Sequence, residues 1–144
     1  MKYYFPLIAL MVLHAVFLLI DAYAILHIDS AMHLVGGISL GMFVLGSLEN
    51  AVRRGWCPNL GKTVASVMVI SLVMTGAVCW EFYEWASDIF LGTHLQPSLN
   101  DTVKDLFLGL SGAVLFISFI NYANSDRPLF CRINNEGSAV RSEK

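Results

Sequence analysis

Charge is what this chain has least of. Asp, Glu, Lys and Arg make up only 14% of its 144 residues, while hydrophobic residues make up 56%. Soluble domains average about 25% charged and about 45–50% apolar, so the balance points to lipid as the solvent. The net charge is −2, and no broad basic surface argues for a nucleic-acid partner. The three cysteines, Cys57, Cys79 and Cys131, have no CxxC spacing, which removes a disulfide framework and a thiolate zinc site. Cys79 lies inside an apolar run and is expected to pack there. There is no internal repeat and no low-complexity segment. The length suits one domain.

What the chain does have is long apolar runs. About 20 apolar residues cross the hydrocarbon layer as a helix. The runs at about 3–26, 31–48, 64–89 and 106–122 meet or approach that length. Backbone polar groups in lipid must be paired within the segment, so these runs are read as helices. The predicted fold is all-α: a four-helix polytopic membrane bundle over residues 1–122, with a polar cytoplasmic tail over 123–144. Asp29 or Ser30 is the expected cap of the second helix. Ala22-Tyr23-Ala24 has the small-x-small form of a signal-peptide cleavage site. His14, Asp21 and the single early Lys2 fit that pattern poorly, so the first span is expected to be retained.

Orientation follows from the basic residues. In a four-span arrangement Lys2, Arg53, Arg54, Lys62, Arg127, Arg132, Arg141 and Lys144 share one side, and only Lys104 lies on the other. The positive-inside rule then puts both termini and the middle loop in the cytoplasm.

The acidic residues mirror this. Asp21, Asp29, Glu81, Glu84, Asp88, Asp101 and Asp105 fall toward the outer face, as do His27, His33 and His94. Their spacing is helical. Asp29 and His33 are four apart, as are Asp101 and Asp105, while Glu81, Glu84 and Asp88 follow at three and four. Glu81 lies about 28 Å along a helix from Lys62, near the far edge of a hydrocarbon core about 30 Å thick. Three polar stripes are therefore expected to meet at one level. Carboxylates gathered near lipid repel and are poorly hydrated, so shared protons, bound cations or an open vestibule must relieve them. Oxygen donors with one imidazole suit a divalent ion such as Mg²⁺, Mn²⁺, Fe²⁺ or Zn²⁺. The expected metal ligands are His33, Glu81, Glu84 and Asp105, supported by Asp29. Asp88 and Asp101 are the candidate catalytic base or supporting partner.

Other features have simpler readings. His14 is expected to be a packed polar residue, with Asp21 on roughly the same face. Trp80, Phe82, Tyr83 and Trp85 fit an aromatic interface belt. Lys104 balances nearby carboxylates or meets an anionic head group. Gly37 with Gly41, and Gly109 with Ala113, are small-xxx-small pairs that let helices approach closely.

Three segments together resemble a family pattern. Asp29-Ser-Ala-Met-His33, followed by Gly36-Gly37, is a D-x-x-x-H segment. Trp80-Glu81-Phe-Tyr-Glu84-Trp85 contains E-x-x-E-W. Asn100-Asp101-Thr102-Val-Lys-Asp105, leading to Gly112-Ala113, contains D-T-x-x-D. Over roughly residues 29–115 the chain resembles the small YjdF-like bacterial membrane proteins and, more distantly, VanZ-like proteins linked with glycopeptide-antibiotic resistance. The resemblance implies a bacterial inner (cytoplasmic) membrane location. It also implies importance for Asp29, His33, Glu81, Glu84, Asp101 and Asp105.

Three functions are compatible with these residues. The first is a metal-dependent enzyme acting on a lipid-linked or envelope substrate. The second is a proton- or cation-coupled transporter or ion-binding protein. The third is a structural or accessory subunit, since four short helices with glycine seams can form a homo-oligomer. Membrane lipids are partners in all three.

Overall fold

The computed structural model describes residues 3–20, 22–24 and 28–123. Four α-helices follow one another: α1 (Phe5–Leu19), α2 (Ile28–Arg53), α3 (Lys62–Leu91) and α4 (Leu99–Ala123), with a short 3₁₀ turn at Ala22–Ala24 after α1. Asp21 and His27, the polar tail and Cys131 lie outside the described residues.

Helices α2, α3 and α4 are long and apolar enough to cross a membrane. Helix α1 differs from the expected first span. It has 15 residues and a length of about 22 Å, against the roughly 30 Å of the hydrocarbon layer. It packs on α2 and presents Phe5, Ile8, Val12 and Leu19 outward, each more than half exposed. An apolar helix can show such a surface where lipid, not water, surrounds it.

The second and fourth helices begin earlier than their apolar runs do. Helix α2 starts at Ile28, which puts Asp29 inside its first turn and not at its cap. Helix α4 starts at Leu99 and takes in Asp101 and Asp105. Hydrophobic runs mark where lipid begins. Helices continue past that boundary because backbone hydrogen bonds also form at the interface. Gly92 ends α3 in the left-handed conformation, φ 69°, which costs glycine nothing.

The tightest seam joins α2 to α4. A Cβ built on Gly37 would lie 2.1 Å from the Gly109 carbonyl oxygen, and one on Gly112 would lie 2.2 Å from that of Leu34. Only glycine permits this approach. Gly41 of the expected pair faces the Phe116 ring instead. Next to the seam, Val44, Leu45, Ala65, Val69, Val73, Ala113, Phe116 and Ile117 form the buried core. Cys79, expected to pack, is exposed on the bundle surface.

The two ends of the bundle differ. At one end Lys62 donates to the Asn121 carbonyl (2.9 Å), and Asn121 donates to Ser66 (3.1 Å). Arg53 closes α2 there. The other end carries the polar starts of α2 and α4 and the acidic last third of α3.

Candidate metal centre

His33 stands one turn into α2, where the close α2–α4 seam brings it against both α3 and α4. Its side chain is 8% exposed, and both ring nitrogens face carboxylates. Nε2 lies 3.4 Å from Asp29 Oδ1, one turn back on α2, and 3.9 Å from Asp105 Oδ2 on α4. Nδ1 lies 3.9 Å from Glu81 Oε1 on α3. Helical spacing explains each partner: Asp29 precedes His33 by one turn, and Glu81 and Glu84 share a face of α3. Glu81, Glu84 and Asp105 are all buried, Asp105 to 1% exposure.

These residues form two groups that share the histidine, Asp29–His33–Asp105 and His33–Glu81–Glu84. Within each group one donor atom per residue lies within 4.8 Å of the others. Opposite ligands of an ion at about 2.1–2.4 Å stand about 4.2–4.8 Å apart, so either group has the dimensions of a cation site. The expected set of His33, Glu81, Glu84 and Asp105 is thus brought together, but divided between two sides of one imidazole. Asp29, expected as a supporting residue, approaches His33 as closely as any of them.

The carboxylates have ordered partners on their outer sides. Trp80 Nε1 donates to Glu84 Oε1 at 2.7 Å. Gln96 Nε2 reaches Glu81 Oε2 at 3.5 Å and donates to Thr102 at 2.8 Å. Glu81 Oε1 and Asp105 Oδ1 are buried and accept no hydrogen bond. Buried polar atoms are rarely left so, because the desolvation cost is about 1–3 kcal/mol and more for a charged group. Four carboxylates face one imidazole and Lys104, whose Nζ lies 3.7 Å from Asp105 Oδ1. With all four ionised, the balance is negative even with the imidazole protonated.

The two candidate catalytic acids sit elsewhere. Asp88 accepts from Thr93 Oγ1 (2.6 Å), Leu95 N (2.8 Å) and Gln96 N (3.0 Å). Its two oxygens anchor the turn that carries Gln96. Asp101 pairs with Lys104 at 2.5 Å on the rim. Neither belongs to the two groups around His33. His94 is exposed in the connection after α3.

The family comparison agrees with the helical reading. A family model described as "Predicted membrane protein (DUF2238)" matches residues 2–126. The chain belongs to this family. The match covers all four helices of this DUF2238 protein and every residue of the His33 cluster. No curated protein and no solved structure matches it.

Two members of the DUF2238 site were not foreseen as such. Trp80, assigned to the aromatic belt, turns inward: it bonds Glu84 and meets the His14 ring edge-on at 4.6 Å between centroids. Its position four residues before Glu84 is the signal that was there to read. Phe82, Tyr83 and Trp85 do lie on the bundle surface. Gln96 carried no signal, because the Asp88-held turn alone directs it to Glu81. His14 is buried, as expected, and bonds the Tyr23 hydroxyl.

Proposed function

We propose that this protein holds a divalent cation at the outer face of the bacterial inner membrane and uses it on a lipid-linked or envelope substrate. The observation that carries the reading is Glu81 Oε1, a buried carboxylate oxygen without a hydrogen bond, 3.9 Å from His33 Nδ1. In this reading Glu81, Glu84 and the Nδ1 of His33 are the ligands, and Asp29 and Asp105 orient the imidazole through Nε2. A carboxylate on the far nitrogen is the usual partner of a ligating histidine. Trp80 and Gln96 hold the two glutamates from outside. When bound, such an ion supplies Lewis-acid polarisation of a phosphoryl or carbonyl oxygen, or a water of lowered pKa. Asp29 is the most exposed carboxylate of the cluster, at 28%. It is the group through which His33 can exchange a proton with water.

The outer position rests on the basic residues. Arg53, Arg54 and Lys62 lie at the bundle end opposite His33, and such residues favour the cytoplasm. Transport has less support. Below the cluster the described core is Val69, Val73, Ala113, Phe116 and Ile117, with Ser39 beside them and no buried carboxylate or histidine there among the described residues.

Metal analysis tests the proposal. Purified protein equilibrated with Mn²⁺ or Zn²⁺ and desalted is expected to retain stoichiometric metal, and His33→Ala and Glu84→Ala are expected to lose it. A metal-free protein under replete conditions rejects the reading. Cation flux into proteoliposomes would favour transport instead.

A further inference from the structure

Beside the His33 cluster lies a half-open cavity of about 110 Å³ lined by α1, α2 and α3, with Gly109 of α4 at its wall. One end is polar, with Asp29, His33, His14 and Tyr23. The rest is apolar, with Leu10, Met11, Leu40, Val73 and Ala77 among its walls. At about 30 Å³ per molecule the space would take three or four waters, but each water needs two to four polar partners. The deep end has no polar side chain to provide them. On α2 the wall runs from Asp29 to Leu40, about 16 Å at 1.5 Å per residue, in the direction in which lipid chains lie. It also reaches the lipid side, because Met11 lines it and is 46% exposed.

We infer that this cavity receives the first few methylenes of one acyl chain of a membrane lipid, whose head group then lies against Asp29 and His33 and whose remaining length runs out past Met11 among the surrounding lipids. The chain enters between α1 and α3 and displaces no hydrogen-bonded group. His14 and Tyr23 bond each other at the polar end and mark where the chain stops and the head group begins. The placement of the head group rests on the cation-site reading above. The placement of the chain does not.

Trp80 lines the cavity and supplies the probe. Its signal is isolated by Trp56→Phe and Trp85→Phe, and the protein is placed in nanodiscs of phosphatidylglycerol brominated on its acyl chains. The chain proposal predicts strong quenching of Trp80. Gly36→Leu fills the cavity from α2. The Cβ it needs meets only Leu10 Cδ2, at an ordinary 3.8 Å. This variant is expected to lose most of the quenching. Leu10→Ala enlarges the cavity from α1 and is expected to deepen it. Quenching that neither variant moves overturns the proposal, since Trp80 would then see only bulk lipid. If Gly36→Leu fails to fold, Leu10→Ala decides alone. Metal content measured on the same samples separates the two readings. Retained metal with unmoved quenching rejects the chain alone, whereas absent metal with the expected quenching rejects the cation and keeps the chain.

Discussion

His33 is the residue on which the site turns, because its Nε2 faces carboxylates of α2 and α4 and its Nδ1 faces one of α3. A histidine alone near an interface is usually a satisfied packing residue. Here the ring is nearly enclosed, and its neighbours are carboxylates from α2, α3 and α4. Trp80 is the residue whose role changed most between sequence and structure. Its indole N–H fixes one oxygen of Glu84 and so restricts how that carboxylate can turn. Trp80→Phe keeps the packing surface and removes the donor. It is expected to weaken Mn²⁺ or Zn²⁺ binding by about 10–100-fold, the usual effect of losing an outer partner of a ligand. A metal titration with the melting temperature recorded alongside checks this. Unchanged affinity would mean that Glu84 is not a ligand.

At the scale of elements, the site exists because α2 and α4 come close enough for Asp105 to face His33. Lipid supplies little hydrophobic force between helices, so close packing of small residues must hold them. Gly37, Gly109 and Gly112 make that contact through their backbones. A side chain at Gly37 would have to move the α4 backbone, not a flexible side chain. Gly37→Val is therefore expected to destabilise by at least the about 1–3 kcal/mol typical of overpacking, and to lower metal binding with it. Gly61→Ala is the control, since a Cβ there meets nothing within 4 Å. Thermal melts in detergent distinguish the two. Equal melting temperatures would show that the seam does not carry the fold. The connection between α3 and α4 is a second determinant. Asp88 gathers its backbone N–H groups and so delivers Gln96 to Glu81.

For the whole molecule, the decisive property is polarity from end to end. Basic side chains and the Lys62–Asn121–Ser66 contacts occupy one end, and the carboxylate–histidine cluster occupies the other. With both native positions Cys57 and Cys79 and also Cys131 changed to Ser, a single cysteine reports the side. Thr93→Cys is expected to react with an impermeant maleimide on intact cells. Trp56→Cys is expected to react only after permeabilisation. The reverse pattern would move the cluster to the cytoplasmic face and with it the class of substrate available.

The amino-acid sequence by itself determined the solvent, the helical class and the shared level of the polar stripes. Those depend on composition and on a 3.6-residue period, and both are local properties. The stripes Asp29–His33, Glu81–Glu84 and Asp101–Asp105 could be placed at one level for the same reason. Which stripe residues meet depended on helix rotation and approach, which are set between chain segments far apart in sequence. Hence the tertiary structure alone separated Asp105, turned onto His33, from Asp101, turned onto Lys104. It likewise committed Asp88 to its turn, drew Trp80 inward, and opened a cavity between α1 and the helices behind it. The short α1 belongs to the same category. Its apolar run was plain, but where the helix stops is set by how the chain turns to pack on α2, which apolarity does not encode.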